Sequence, residues 1–163
     1  MGEVTAPEAL DPSHDLAGFD CGKRALTDWL RHRALKNEAR GSRTFVVCRA
    51  RRVLGYYALA AGAVVRDRAP AGISRNMPDP VPVIVLARLA VDRTMQGQRI
   101  GEGLLKDALK RALAASREIG ARAVLVHALD GDAANFYLQY GFRLFPADAR
   151  TLYLAMEHIA AAI

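Results

Sequence analysis

Apolar residues in the first part of this chain recur at intervals of three and four positions, a spacing typical of an amphipathic helix. They lie between residues 20 and 40 and form one stripe, while charged residues occupy the positions between them. The stripe consists of Ala25, Leu26, Trp29, Leu30 and Ala34. The spacing therefore predicts a helix over residues 20–40, and Gly41 is the expected end of that helix.

Strands are predicted where the apolar positions become dense and β-branched. Residues 44–48 and 53–65 are two such runs, and residues 50–52 between them are expected to form a turn. Residues 83–91 form an almost unbroken apolar run, which is the pattern of a central strand covered on both faces. Residues 1–20 are expected to be irregular or to form a short edge strand. The remaining runs predict short strands at 123–129, 142–145 and 152–156.

Two further helices are predicted in the second half of the chain. One ends before Gly120, which is placed to cap its C-terminus. The other is shorter, over residues 132–140, with Asp130 or Asp132 as its N-cap and Gly141 as its end. The alternation of helices and strands, without internal repeats or linkers, predicts a mixed α/β architecture.

Length and composition favour one domain and exclude several classes of protein. The 163 residues are 52% hydrophobic, which is enough for a core, and residues 1–163 are expected to form a single domain. The longest stretch without a charge, residues 53–65, is too short to span a bilayer. The first 20 residues contain five acids and no Lys or Arg, the opposite of a secretory signal. A cytoplasmic location with reduced cysteines is therefore expected.

The net charge of +6 is concentrated in one segment. Residues 23–52 contain ten Lys and Arg residues against two acids, whereas residues 100–163 contain seven of each. A local excess of positive charge attracts polyanions such as nucleic acids. The alternative is a solvated helix face in a protein that favours arginine, since Arg outnumbers Lys by 19 to 4.

A glycine-containing passage connects the predicted central strand to the long helix. It reads Gln98-Arg99-Ile100-Gly101-Glu102-Gly103 and is preceded by Gly97. Glycines at such a position let backbone N–H groups approach a phosphate, and the helix N-terminus adds unpaired donors and the positive end of its dipole. The passage is neither a Walker A loop nor a dinucleotide-binding fingerprint. It predicts a phosphate site to which Arg93 or Arg99 could add charge, unless the glycines serve only the geometry of the helix entry.

A second passage follows about 30 residues later and reads Asn135-Phe136-Tyr137-Leu138-Gln139-Tyr140-Gly141-Phe142. Together the two passages resemble the Gcn5-related N-acetyltransferase (GNAT) family, over residues 43–157. In that family a pyrophosphate loop for acetyl-CoA precedes a short helix that ends in Phe-Tyr-x-x-x-Gly-Phe. The resemblance implies an α/β (α+β) fold with a mixed, mostly antiparallel central sheet flanked by helices. It also implies an acetyl-CoA-dependent N-acetyltransferase.

The resemblance further implies roles for individual residues. Asn135 would contact the cofactor, and Tyr137 would protonate the departing CoA thiolate. For Tyr137 the alternative is a core aromatic, with Tyr140 as a second candidate for the acid. Because an amine attacks the thioester directly, Cys21 and Cys48 are expected to be ordinary buried residues, and no metal site is expected. The main chain that would hydrogen-bond the pantetheine arm and the acetyl carbonyl belongs to Leu89, Ala90 and Val91. The residues that would hold the pyrophosphate are Gly97, Gln98, Arg99, Ile100, Gly101, Glu102 and Gly103.

The chain departs from many GNAT relatives at the position of the general base. Those relatives place a Glu on or near the central strand, whereas here the strand has Arg88, and no acid occurs between Asp79 and Asp92. An α-amine has a pKa near 8, so a far larger fraction of it is neutral at physiological pH than of a lysine side chain, and it could react without a dedicated base. His127 is either a possible base or a structural residue of its strand.

A narrower resemblance extends over nearly the whole chain. Residues 19–22, 28–30, 43–47 and 75–92 are similar to the acetyltransferase toxins of bacterial toxin–antitoxin pairs. It implies acetylation of the α-amine of aminoacyl-tRNA, a block of translation, a homodimer and a ribbon-helix-helix antitoxin. An N-acetyltransferase for a small amine or a protein amine, and an inactive nucleic-acid-binding regulator, stay open as alternatives. The candidates for tRNA contact are Arg31, Arg33, Lys36, Arg75 and Arg88.

Overall fold

A computed structural model describes residues 2–146 and 148–162 of the chain. Its strands are β1 (Glu8–Ala9), β2 (Arg43–Arg49), β3 (Arg52–Val64), β4 (Val81–Val91), β5 (Ala123–His127), β6 (Arg143–Phe145) and β7 (Asp148–Ala155). Within the described residues these strands form one sheet in the order β1-β2-β3-β4-β5-β7-β6. β4 and β5 are parallel, while β1–β2, β2–β3, β5–β7 and β6–β7 are antiparallel. The predicted fold class, α/β with a mixed and mostly antiparallel sheet, is confirmed.

The helices end and begin at several of the residues that the sequence indicates. They are α1 (Arg24–His32), α2 (Ala34–Asn37), α3 (Ala71–Ser74), α4 (Ile100–Ile119), α5 (Gly131–Gln139) and α6 (Met156–Ala162). Gly120 follows α4 with φ +80°, a left-handed conformation that favours glycine. Asp130 caps α5, because its carboxylate accepts the Ala133 N–H at 2.9 Å. Across the described ranges, no helix combines the length and the apolar character needed to cross a bilayer.

Contacts within the chain group into two compact units. The first comprises Met1–Ala60 and Ala87–Ala108, and the second comprises Ala61–Leu86 and Leu109–Ile163. The first unit has a core that includes Phe19, Leu30, Val46, Val53, Tyr56 and Ala58. The second unit has a core of Ile73, Val83, Ala123, Leu125 and Ala155. Each unit therefore buries apolar residues of its own. That residues 1–163 act as a single domain stays a prediction.

Helix α1 is held against β3 by aromatic side chains of the first unit. The Trp29 ring stacks on the Tyr56 ring, with centroids 5.9 Å apart and planes inclined by 15°. The Tyr56 hydroxyl donates to the Leu26 carbonyl at 2.6 Å, and Phe19 meets the Tyr56 ring edge-on at 5.6 Å. Because these rings are buried, their packing and the hydrogen bond fix the helix on the strand.

The helix predicted over residues 20–40 is wrong in its extent. α1 begins only at Arg24, and Arg33, with φ −126° and ψ −28°, separates it from α2. α2 ends at Asn37 rather than at Gly41, because the next residue takes an extended backbone. Apolar spacing located the helical segment, but it carries no information on these local backbone angles.

Three other expectations are corrected by the structure. Met156 begins α6 instead of ending a strand, and its N–H donates to the Arg122 carbonyl at 3.0 Å. β5 ends at His127, two residues earlier than the predicted range. Ala25, placed on the apolar stripe, is exposed, because the buried side of α1 is centred on Trp29 and the neighbouring leucine.

Candidate functional site

Asp92, directly after β4, anchors the passage that leads into α4. Its backbone N–H donates to the Leu54 carbonyl at 2.8 Å. Its carboxylate accepts the backbone N–H groups of Thr94 and Asp20, both at 3.0 Å, and the Thr94 hydroxyl at 2.6 Å. Burial by itself would raise the pKa of Asp92, but these hydrogen bonds hold that pKa below its usual value. This anchoring role was not predicted from the sequence, where only an acid at the end of an apolar run could have signalled it.

The turn into α4 uses two residues in the left-handed region. Gly97 has φ +82° and Arg99 has φ +63°. The first hydrogen bond of the helix runs from the Gly103 N–H to the Arg99 carbonyl at 3.1 Å. The N–H groups of the residues between them therefore have no acceptor within the helix. These donors, together with the positive end of the helix dipole, can bind an anion.

The glycine at position 103 gives a test of whether this turn fits a phosphate. A Cβ at Gly103 would meet no atom within 4 Å, so packing inside the described part of the chain does not require glycine there. A glycine inside a helix costs about 1 kcal/mol relative to alanine. Close approach of a ligand to the helix is a physical reason to accept that cost. The turn therefore fits the pyrophosphate that the family resemblance implies.

The end of β4 is fixed by a side chain of the same turn. The Gln96 amide donates to the Val91 carbonyl and to the Cys21 carbonyl, both at 3.0 Å. Of the residues expected to bind the pantetheine arm, Ala90 is buried, and Leu89 and Val91 are half-buried. The contacts of Gln96 join the turn and the end of β4 to the segment around Cys21, 75 positions away in sequence. No sequence pattern signalled this role.

Arg88 precedes those strand residues and lies over an aromatic ring. Its guanidinium carbon is 4.2 Å from the centroid of the Trp29 ring, a cation–π contact. Burial lowers the pKa of Arg88, while Tyr56 opposes that shift and Arg33 adds to it. No carboxylate forms an ion pair with Arg88 in the described part of the chain. β4 therefore has a positive charge at Arg88, on a strand with no acid between Asp79 and Asp92.

The remaining candidates for tRNA contact are divided between the two units. Arg31, Arg33 and Lys36 lie on or beside α1 and α2, are exposed, and form no ion pair with any described residue. The structure brings Arg33 close enough to Arg88 for the two charges to interact. Arg75 belongs to the second unit, where it follows α3 and is exposed.

Tyr137 lies on α5, in the second unit, among other aromatic residues. The Phe136 and Phe142 rings lie 5.2 and 5.3 Å from its ring, and Phe136 also contacts Tyr140 at 5.1 Å. Burial raises the pKa of Tyr137, so the phenol is protonated at neutral pH. Among the described residues its hydroxyl has no hydrogen-bond partner. Asn135 is exposed on the same helix.

The second unit also contains an open cavity of about 870 Å³. Its lining is mostly apolar and includes Gly62, Val83, Val85, Leu125 and Phe145. His127, Thr151 and Asp148 line the same cavity and are linked by hydrogen bonds. The His127 Nδ1 atom is 3.0 Å from the Thr151 Oγ1 atom, and the Thr151 hydroxyl donates to Asp148 at 2.6 Å. The sequence named His127 but did not indicate its two partners.

A separate cluster in the first unit has residue types that bind metals. Ligand atoms of Glu8, His14 and Cys48 lie within 4.8 Å of one another. The His14 Nδ1 atom accepts the Asp11 N–H at 3.0 Å, so the Nε2 atom carries the proton and donates to Glu8 at 3.0 Å. Burial, with a contribution from Glu8, raises the pKa of the Cys48 thiol to about 11. The His14 ring and the Cys48 thiol would each have to lose a proton before they could bind a cation. The cluster therefore does not fit a metal.

Comparison with known proteins places these features in context. Residues 40–144 match the family model described as an acetyltransferase (GNAT) domain. The chain is 48% identical over 164 residues to the tRNA-acetylating toxin of Mycobacterium tuberculosis (strain ATCC 25618 / H37Rv), covering 100% of this chain and 99% of that protein.

Two solved structures match nearly the whole chain. AtaT complexed with acetyl-methionyl-tRNAfMet has a TM-score of 0.89 and 31% identity, covering 98% of this chain and 99% of that one. A mutant of the AtaT toxin, bound to the C-terminus of the antitoxin AtaR and to acetyl-CoA, has a TM-score of 0.84 and 30% identity. In this second match the coverage is 99% of each chain.

Proposed function

The chain belongs to the acetyltransferase (GNAT) family, and from that premise we propose that it is a toxin N-acetyltransferase for aminoacyl-tRNA. It transfers the acetyl group of acetyl-CoA to the α-amine of the amino acid that the tRNA carries, and so blocks translation. The observation that carries this proposal is the 48% identity, over the full length, with a tRNA-acetylating toxin. In this proposal residues 1–163 act as one acetyltransferase domain.

The turn into α4 supports acetyl-CoA as the acetyl donor. The N–H groups at the start of α4 bind the pyrophosphate, and Gly97 and Gly103 leave room for it. The main chain of residues 89–91 binds the pantetheine arm, and Asn135 contacts the cofactor. Acetyl-CoA supplies the thioester, while these residues hold and orient it.

Tyr137 is the proposed general acid. The Tyr137 side chain is buried, and its hydroxyl has no hydrogen-bond partner among the described residues, so the hydroxyl is available to a ligand. Its raised pKa means that the phenol carries its proton at neutral pH and can act as a donor. As the C–S bond breaks, negative charge develops on the sulfur, and proton transfer from Tyr137 to it assists the departure of the thiolate.

The charged groups of the first unit support a polyanionic substrate. Arg31, Arg33 and Lys36 are exposed cations without ion pairs in the described part of the chain, and Arg88 adds a fixed charge. These groups attract the tRNA backbone and repel small cationic amines such as polyamines. Together with Arg75 they are the proposed tRNA contacts.

The proposal includes protein partners and a location. A ribbon-helix-helix antitoxin binds and neutralises the protein, which forms a homodimer in the cytoplasm. The support for the antitoxin is that the relative AtaT was solved bound to the C-terminus of AtaR.

A labelling experiment tests the proposal. The protein is incubated with radiolabelled acetyl-CoA and, in parallel, with charged tRNA, deacylated tRNA, a peptide with a free N-terminus and a panel of small amines. We expect label on charged tRNA alone, in a form that is released with the amino acid when the ester is hydrolysed. Label on peptides or small amines only would overturn the toxin proposal in favour of an ordinary N-acetyltransferase. Binding of tRNA with no label on any acceptor would favour an inactive regulator.

A further inference from the structure

His127, the last residue of β5, is a titratable side chain to which the proposed function gives no role. β5 runs parallel to β4, with Ile84 opposite Val124 and Val85 opposite Leu125. His127 therefore lies at the carboxyl end of this parallel pair, the end at which α/β proteins bind their ligands. It is exposed and lines the 870 Å³ cavity of the second unit.

The hydrogen bonds of His127 determine which ring nitrogen carries the proton. The Thr151 hydroxyl has one proton, and its 2.6 Å contact with Asp148 requires that this proton be donated to the carboxylate. The Thr151 oxygen can then only accept from the Nδ1 atom of His127, 3.0 Å away. The proton of the neutral imidazole is thus on Nδ1, and the Nε2 atom has a free lone pair.

Catalytic histidines commonly have one ring nitrogen oriented by a hydrogen-bonded acid while the other accepts a proton. Here Nδ1 is the oriented nitrogen and Nε2 is the acceptor. Thr151 is only 4% exposed, which holds the intermediate hydroxyl in place. The Asp148 carboxylate is ionised at neutral pH, because hydrogen bonds from the Thr151 hydroxyl and the Arg150 N–H keep its pKa below the usual value.

We propose that His127 is the general base of the acetyl transfer, oriented by Thr151 and Asp148, in place of the glutamate that many GNAT relatives use. This inference rests on the proposed function and names a further catalytic residue for it. The amine nitrogen forms a bond to the thioester carbon, and its proton passes to the Nε2 atom of His127. The C–S bond breaks, and the thiolate takes the proton of Tyr137. The imidazolium and the tyrosinate regain their starting states by exchange with solvent.

The charged groups that face His127 are few. Asp148 on β7 interacts with it electrostatically, and Asp67 and Arg68, in the short helical turn Arg66–Arg68 after β3, line the same cavity. Thr151 on β7 is the neutral partner of the ring. The one carboxylate that is coupled to the ring is therefore Asp148, on the side away from the free lone pair.

The pH dependence of His127→Gln tests the proposal. In the native enzyme both the substrate amine and His127 must be unprotonated, so log kcat/KM rises with a slope of about two at the acidic end of the profile. In His127→Gln only the amine titrates, and we expect a slope of about one with a rate about 100-fold lower at neutral pH. A native slope and rate in this variant would overturn the proposal.

Three further variants separate catalysis from structure. Thr151→Val keeps the shape of the side chain but removes the link to Asp148, so kcat should fall while KM is retained. In the double variant that combines His127→Gln with Thr151→Val, the loss of kcat should not exceed that of His127→Gln alone, because both changes act through the His127 ring. His158→Gln, at an exposed histidine on α6, is the matched control and should keep the native profile. Melting temperature and acetyl-CoA binding are measured for each variant, and a general loss of both in His127→Gln would assign the histidine to structure instead.

The experiment distinguishes this inference from the proposed function. If charged tRNA is not labelled by the native protein, the proposed function fails. The same comparison is then made on the hydrolysis of acetyl-CoA, in which water is the acceptor and only His127 titrates. The native protein should show an acidic limb with a slope of about one, and His127→Gln should show none. An identical limb in both proteins would overturn the assignment of His127.

Discussion

Two histidines of this molecule are each linked to a carboxylate, yet they differ in what they leave available. His14 accepts a backbone N–H at Nδ1 and donates from Nε2 to Glu8, so both nitrogens are used, and the residue is 6% exposed. His127 donates from Nδ1 toward Thr151 and keeps the lone pair of Nε2, on an exposed ring beside a cavity. The first arrangement fixes a strand, and the second leaves a site for a proton.

The difference shows that residue type and a nearby acid are not enough to identify a catalytic histidine. What decides is which nitrogen the protein occupies and whether the other is exposed. The cluster of Glu8, His14 and Cys48 has the composition of a metal site, but its hydrogen bonds exclude that role. The His127 group has a less familiar composition, since a threonine connects the ring to the acid.

The largest expected effect is on kcat when Tyr137, the proposed general acid, is replaced. If His127 accepts a proton and Tyr137 supplies one, Tyr137→Phe removes only the hydroxyl that protonates the departing thiolate. We expect kcat to fall by about 100-fold or more. Acetyl-CoA affinity and melting temperature should stay close to native values. Tyr140→Phe, three residues further on the chain, is the control and should retain activity. A native rate in Tyr137→Phe would show that the departing thiolate needs no acid.

His14→Leu tests the structural side of the comparison. The change removes the hydrogen bonds of the buried His14 ring to Glu8 and to the Asp11 N–H, two groups that solvent can reach, and we expect a loss of about 1 kcal/mol in the free energy of unfolding. Denaturant titration measures this loss, and kcat at a temperature where the protein is folded should be native. His32→Gln, on the exposed end of α1, should change stability by less than about 0.5 kcal/mol. A fall in kcat for folded His14→Leu would contradict the division between the two histidines.

Gly103→Val extends the test to the cofactor. Its side chain meets no atom of the described chain, so stability should change little, whereas the pyrophosphate would meet the new methyl groups. We expect acetyl-CoA binding to weaken by about tenfold, or about 1.4 kcal/mol, in a calorimetric titration. The pH profile of kcat should keep its native shape, because neither His127 nor Tyr137 is altered. Native affinity would mean that the glycine has no role in ligand approach.

The smallest effect is expected for Asp148→Asn. The pKa of Asp148 is lower in the folded protein than in the unfolded chain, mainly because the Thr151 hydroxyl donates to it. Its stabilising contribution is therefore present above the unfolded pKa and is lost as the pH falls through the folded one. Melting temperature measured between about pH 5 and pH 2 should fall less steeply in the variant than in the native protein. At neutral pH kcat should fall only a few-fold, since an amide oxygen can still accept from Thr151.

Much of the fold and part of the site could be predicted from the sequence, for physical reasons that differ from residue to residue. The turn into α4 and the helix of Tyr137 are signalled by local chemistry, because a helix entry that binds phosphate needs glycine and a helix end favours it. The buried run of β4 is likewise a local pattern.

The parts that were missed depend on contacts between distant segments. Asp92 accepts an N–H from Asp20, 72 positions away, and the partner of His127 lies 24 positions further along the chain. The start of α6 at Met156 accompanies a backbone hydrogen bond to the distant Arg122, and the break in the helix at Arg33 is a change of local backbone angles. Apolar spacing encodes neither. Side-chain pairings of this kind become visible only once the register of the sheet is known.

The position of β7 between β5 and β6 has a consequence for how the protein folds during its synthesis. β7 pairs with both β5 and β6 and follows them in the chain, so the part of the sheet that contains Thr151 and Asp148 forms only after residues 148–155 have left the ribosome. A nascent chain therefore lacks the groups that orient His127 until β7 has emerged. For a protein proposed to attack the charged tRNA on which ribosomes depend, the topology delays activity until that strand is in place.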